Sequence, residues 1–194
     1  MVHQSVQLTE KEIEQIVDKY GNKLFKICLV ILCKAYDAED AVQETIIKYL
    51  IKKPTFNNSE HEKEWMITAA MNCCKNMRKF HFRRPHLEVS ELQLYIKNKK
   101  IYDLLELLMN LPLKYKTVLL LHYYEGYKVD EVGAILRIPI SSVKKLLKCE
   151  RGMDVNKISN AVNSVEMSKL MKYRILENCN RLEEVNRIYK YKTI

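Results

Sequence analysis

The sequence predicts an all-α fold: two small helical domains, a flexible linker between them and a C-terminal helical extension. Apolar residues recur at three- and four-residue spacing through most of the 194-residue chain. Gly and Pro number four each, too few turn residues for a many-stranded sheet. Leu, Lys, Glu and Ile dominate long stretches, and these favour helix over turn. A hydrophobic fraction of 47% beside 29% charged residues is that of a soluble globular protein.

The first helix is predicted from Thr9, an N-cap that Glu12 completes as a capping box, after which Ile13, Val17, Tyr20, Leu24, Ile27 and Ile31 recur at helical spacing. Asp37 is the expected cap of a second helix. There Ala41, Val42, Thr45, Ile46, Tyr49 and Leu50 form an apolar stripe, and Glu39, Asp40, Gln43, Glu44 and Lys48 form the opposite, acidic face. Residues 53–58 carry Pro54 and two Asn, a loop signature. Ser59 with Glu62 then repeats the capping box before a helix to about Phe80. That helix buries Trp65, Ile67, Ala70, Cys73, Cys74 and Met77 and ends basic with Lys75, Arg78, Lys79, Arg83 and Arg84, and Pro85 stops it.

Residues 85–100 are polar and charged and read as the linker, with room for a short helix near Ser90. Helical periodicity resumes at Ile101, Leu104, Leu105 and Leu108, and Pro112 suits the first turn of a helix that stops at Gly126. From Val129 to Lys148 the chain reads VDEVGAILRIPISSVKKLLK, two short helices meeting across a tight turn. Gly133 falls where the first must approach the second closely, and Pro139 with Ser141 marks a stop and a start. In a helix-turn-helix the second helix lies in the major groove. Ser141, Ser142, Lys144, Lys145 and Lys148 would then face DNA, hydroxyls and helix N-terminus toward phosphates, lysines toward phosphates or guanine edges. Two positions depart from the ideal. Arg137 stands where Gly is common, which demands either a negative φ or a modest strain, and Lys128 stands where a Ser or Thr cap is preferred.

A formal charge of +9, from 33 Lys and Arg against 24 Asp and Glu, biases the surface toward polyanions, of which nucleic acid is the commonest. The six Cys lack the spacing of a disulfide scaffold and follow no secretory signal, so they read as reduced thiols of a cytoplasmic protein. The most apolar run, Leu24 to Cys33, contains Lys26 and is about half the roughly 20 residues of a bilayer span, so no membrane insertion is expected. Cys73 and Cys74 followed by His81 and His86 lack the C-x-x-C separation of a zinc site, and no metal or other cofactor is expected. No nucleophile–base pair or Gly-rich phosphate loop stands out, which argues against an enzyme.

From about Leu24 to Arg151 the sequence resembles the extracytoplasmic-function sigma factors, at both ends of the match and in the right order. AEDAVQETIIKYL, Ala38 to Leu50, looks like the family's helix whose acidic and amide face docks on the clamp coiled coil of the polymerase largest subunit. On this resemblance Asp40, Gln43 and Glu44 bind core polymerase. EKEWMITAAMNCCKNMRK, Glu62 to Lys79, is similar to the helix that handles the minus-ten element. It assigns Trp65, Asn72, Lys75, Arg78 and Lys79 to minus-ten DNA and the loop of residues 53–59 to a flipped base. An unstacked base needs a pocket and the separated strand needs cations, so the chemistry agrees. The Leu111 to Lys148 block resembles the minus-thirty-five recognition domain, carried by Ser141, Ser142, Lys144, Lys145 and Lys148. The resemblance implies bacterial core RNA polymerase and promoter DNA as partners, with room for an anti-sigma factor. It divides the chain into residues 8–84, a region 2-like domain; 85–100, the linker; 101–153, a region 4-like helix-turn-helix domain; and 154–194, an unassigned extension.

This sequence departs from the family after Lys148, where Cys149, Glu150 and Gly152 stand in place of several arginines. The extension does not resemble the family, although Ile158, Val162, Val165, Leu170, Leu176, Leu182, Val185 and Ile188 can line helices. It is either a solvated appendage or a segment that folds back on a domain and regulates it. Two other readings stand beside the sigma factor: a stand-alone helix-turn-helix regulator, which leaves the acidic face of Asp40 and Glu44 without a purpose, and a helical protein-binding adaptor, which predicts no salt-sensitive DNA binding.

Overall fold

The structure, a computed structural model, describes residues 10–52, 54–80, 99–148 and 155–191. All regular structure among them is helical: α1 Glu10–Leu32, α2 Ala35–Lys52, α3 Ser59–Phe80, α4 Lys99–Asn110, α5 Leu113–Leu119, α6 Val129–Leu136, α7 Ile140–Lys148, α8 Val155–Asn163 and α9 Lys169–Tyr191. A π-helical turn, Leu120–Tyr124, continues α5. No described helix is long and apolar enough to cross a membrane.

α1 follows the predicted stripe in its first half, burying Ile13, Val17 and Tyr20. Its second half, Leu24 to Leu32, is buried on every face, because α2 and α3 cover one side and α4, α5 and α8 the other. The apolar run is therefore a central core helix, and a helix apolar all round is what such a position requires. Lys26 is its one charged side chain and donates from Nζ to the Asn163 carbonyl at the C-terminus of α8, 2.8 Å away. Cys33 ends the helix in the left-handed region at φ 62°, and α2 begins two residues later.

Two expected caps are corrected. Asp37 lies inside the first turn of α2, which starts at Ala35, and favours that end through the helix dipole. α3 starts at Ser59, so Asn58 is its cap, accepting on Oδ1 from the His61 N–H at 2.8 Å; Glu62 turns away to other partners. Thr9, residues 85–98 of the expected linker and the short helix near Ser90 lie outside the described residues, and residues 99–100, expected as linker, already belong to α4.

The second half assembles around α4. α8 packs on α4 and on the π turn, α5 packs on α7, and α6 packs on α7. Pro112 precedes α5 at φ −56°, and Gly126 closes the π turn at φ +79°, the left-handed conformation that makes glycine the residue of choice there. α9 returns across the molecule to lie on α1 and α2. Among its described side chains Met171, Ile175 and Cys179 are buried, Leu176 is half-buried against the core and Leu170 is exposed; the side chains of Leu182, Val185 and Ile188 lie outside those described.

Candidate nucleic-acid and partner interfaces

α6 and α7 meet at Gly133, where an added Cβ would come within 3.0 Å of the Ile138 carbonyl oxygen and within van der Waals reach of Ile140 and Val143. This contact, with Val143 fully buried on α7, sets the angle between the helices. Arg137 takes the left-handed conformation at φ 56°, so the turn accepts the strain of a non-glycine residue, and the Arg137 and Ile138 N–H groups close onto the Ala134 and Gly133 carbonyls. At Lys128 the capping is reversed: Glu131 accepts from the Lys128 N–H at 2.7 Å, which satisfies the chain end without a Ser or Thr. Ser141, Lys144, Lys145 and Lys148 are exposed on α7 and Ser142 is half-buried, so the helix predicted for the major groove presents an open face of hydroxyls and cations.

Trp65 on α3 is half-buried in an aromatic cluster. Its ring meets Tyr49 edge-on at 5.9 Å and Phe56 at 6.1 Å, and Tyr49 stacks on Phe56 at 6.1 Å. Phe56 lies in the loop assigned to a flipped base and was not singled out in the sequence. Its signal there was an aromatic residue between Pro54 and two asparagines. Glu62 anchors the cluster, accepting from Tyr49 at 2.7 Å, Tyr20 at 2.7 Å and Lys19 at 2.6 Å. Burial opposes its charge, but the hydrogen bonds from Lys19, Tyr49 and Tyr20 outweigh it and hold the carboxyl below its ordinary value. Asn72 and Lys79 are exposed and Lys75 half-buried, while Arg78 turns back toward the Ile31 carbonyl, 3.4 Å away at the end of α1.

On α2, Asp40 and Glu44 are exposed one turn apart, and Glu44 pairs with Lys48 at 2.5 Å. Burial and the neighbouring Glu39 and Asp37 carboxylates push Asp40 up, with Arg174 pulling the other way. The adjacent row is not solvent-facing as the helical pattern predicts. Glu39 is 5% exposed and accepts two hydrogen bonds from Arg174 of α9, at 2.7 and 2.5 Å, while Gln43 accepts from Asn178 at 3.0 Å. The acidic face is thus half open and half covered.

Between the two halves, the Glu125 side chain is 1% exposed and its carboxylate lies 3.1 Å from Lys23 on α1 and 3.5 Å from Lys63 on α3. Lys116, 1% exposed, donates to the Met109 carbonyl at 3.1 Å and lies 3.2 Å from Cys33 Sγ; burial pushes its pKa down. Among the described residues no group of three or more His, Cys, Asp or Glu could hold a metal ion, and His81 and His86 lie outside them.

The family model for sigma-70 region 2 matches residues 16–84 and that for sigma-70 region 4 matches residues 101–148, together more than half of the chain. The chain is 26% identical over 148 residues to the ECF RNA polymerase sigma factor SigW of Bacillus subtilis (strain 168), covering 66% of this chain and 79% of that protein. It is 29% identical over 119 residues to the RNA polymerase sigma factor SigV of the same organism, covering 57% and 69%. In three dimensions it is similar to the sigma factor RpoE solved in complex with the anti-sigma factor NepR from Bartonella quintana, with a TM-score of 0.53, 19% identity and coverage of 79% of this chain and 98% of that one. With the region 2 helices and the region 4 helix-turn-helix in one chain and in family order, the protein belongs to the sigma-70 family, in its extracytoplasmic-function group.

Proposed function

We propose that this sigma factor divides its work between two faces: α2 docks on core RNA polymerase through Asp40, Gln43 and Glu44, and α7 reads minus-thirty-five DNA through Ser141, Ser142, Lys144, Lys145 and Lys148. As a sigma factor the chain binds core polymerase and directs promoter recognition, DNA melting and transcription initiation. Residues 8–84 form the polymerase and minus-ten unit and residues 101–153 the minus-thirty-five unit. Trp65, Asn72, Lys75, Arg78 and Lys79 hold the melted minus-ten strand. Trp65 and Phe56 offer aromatic faces to an unstacked base, and the cations of α3 neutralise phosphates. The chain makes and breaks no covalent bond in this scheme, because phosphoryl chemistry belongs to the polymerase, and it works in the cytoplasm where polymerase and promoter are.

The observation that carries this reading is the open basic face of α7, fixed by the Gly133 contact, in the same chain as the acidic row of α2. The test is co-elution with bacterial core polymerase and run-off transcription from promoters upstream of the protein's own gene. Co-elution with transcription is the expected result. DNA binding without any polymerase binding in low salt would overturn it in favour of a stand-alone regulator, and absence of salt-sensitive DNA binding would favour an adaptor.

A further inference from the structure

α9 belongs to neither of the matched regions, yet it makes the most specific contacts with the face assigned to polymerase. Arg174 and Asn178 stand four residues apart on α9; Glu39 and Gln43 stand four residues apart on α2. Both pairs are separated by 135 residues, so the two helices run parallel and in register, matched rung by rung. The guanidinium grips Glu39 with two parallel hydrogen bonds, the geometry that gives Arg its selectivity for carboxylates. Tyr36 lies 5.8 Å under the same guanidinium, and Lys172 pairs with Asp18 on α1. Met171, Ile175 and Cys179 supply the apolar stripe beneath. An acidic and amide face selects a partner helix that offers a cation and an amide at helical spacing, and α9 is such a helix.

The same segment ties the two units together. α8 packs on α4 and the π turn, and α9 packs on α1 and α2. Residues 164–168 join them, a connection that spans at most about 20 Å when extended. Its path is pinned where Asn22 accepts from the Met167 N–H at 2.9 Å and where Lys26 donates to Asn163. The minus-ten and minus-thirty-five elements lie about 25 base pairs apart, roughly 85 Å at 3.4 Å per base pair. With α8 on one unit and α9 on the other, no such separation can be reached.

We propose that α9 is a built-in occupant of the polymerase-docking face of α2, which withholds Glu39 and Gln43 and latches the helix-turn-helix unit against α1 until it is displaced. This rests on the reading that α2 docks on core polymerase. α9 and polymerase compete for one surface, and displacement of α9 frees both the surface and the second DNA-binding unit. The DNA face of α7 stays open throughout, so the device acts on polymerase capture and on spacing, not on base readout.

The test is a titration of core RNA polymerase against the full chain, a chain ending at Ser168, and the full-length Arg174→Glu variant, which sets a carboxylate against Glu39. The expected result is about tenfold tighter binding by the shortened chain, the gain when a closed form holds about nine-tenths of the population, and a smaller gain in the same direction for Arg174→Glu. The point variant keeps Met171, Ile175 and Cys179, so it reports even where the deletion harms folding. Equal or weaker binding by both variants, with the full chain still bound, overturns the latch and leaves the sigma assignment standing. Absence of binding by all three overturns the docking assignment, and the latch with it.

Discussion

Replacing Glu62 by Ala removes the acceptor that fixes the aromatic cluster of Tyr49, Phe56 and Trp65, and its cost can be worked from the contacts. The carboxylate accepts from Tyr20 and Tyr49, each at 2.7 Å, and from Lys19, whose side chain is 52% exposed. The lysine pair is solvent-screened and contributes close to nothing. Two hydrogen bonds to a charged acceptor contribute about 1.5 to 3 kcal/mol each when made in the interior. Tyr49 is only partly buried and regains water on loss of the partner, whereas Tyr20 is 4% exposed and keeps most of its cost, so about 2 to 3 kcal/mol in total is expected. For a chain of this length that lowers Tm by about 4 to 12 °C. The effect carries a pH signature. Because the folded carboxyl titrates below its unfolded value, its stabilisation is complete above the unfolded range near about pH 4.3 and is lost as pH falls through the folded value. Thermal unfolding of the wild type and Glu62→Ala should therefore differ at pH 7 and converge in strong acid. A difference under about 0.5 kcal/mol at pH 7, or one that persists unchanged in acid, would refute the reasoning.

Lys144→Ala and Lys145→Ala should each weaken minus-thirty-five DNA binding, and each lysine that contacts a phosphate should reduce the slope of log affinity against log salt by about 0.9 on removal; gel-shift titration at several salt concentrations reads this. Asp40→Ala and Glu44→Ala should lower affinity for core polymerase and leave isolated minus-thirty-five binding intact, and equal loss of both would argue against separate faces. Gly126→Ala should destabilise by about 1 kcal/mol in chemical denaturation, purely through the backbone, since φ is +79° and nothing lies within 4 Å of the added methyl.

Local patterns were legible in the sequence where the partners are local. The α6–α7 turn was readable because Gly133, Pro139 and the stripe through Val132 and Val143 lie within one short stretch, and the structure adds that Arg137 bears the left-handed strain. The open faces of α2 and α7 were readable from amphipathic spacing alone. Glu39 was not, since helical periodicity places it on the solvent side and its partner Arg174 lies 135 residues away. The α3 cap was misplaced by one residue because Asn58 and Ser59 are both good caps, and Glu62 has better partners in Tyr20 and Tyr49 than its own backbone. In the tail, Val162 and Val165 are buried and Leu176 packs on the core as the spacing suggests, but Met171, Ile175 and Cys179, which carry most of the burial against α1 and α2, are not leucines and did not stand out.

The seam between the two units adds buried charged groups to the apolar packing that continues across it. Within α1–α3 the packing is apolar, with Phe25, Leu24, Ile46, Met66 and Ile67 all at or near zero exposure. Across the seam stand Glu125 with Lys23 and Lys63, Lys116 with Cys33, and Lys26 with the Asn163 carbonyl. Buried charges of this kind give little net stability, because what they gain from one another they lost on leaving water, and on separation each side chain is rehydrated. Separating two apolar faces would expose surface with no such return. The charged contacts of the seam therefore fix orientation more than they stabilise, while the apolar face of α1 toward α4, α5 and α8 holds the units together. Lys116 shows the cost: burial pushes its pKa down, so its site works against its charge. The ion pair of Arg174 with Glu39 and the amide hydrogen bond of Asn178 with Gln43 are built on the same terms, so on the proposal that α2 docks on core polymerase, a polymerase group that satisfied Glu39 and Gln43 would compete with α9.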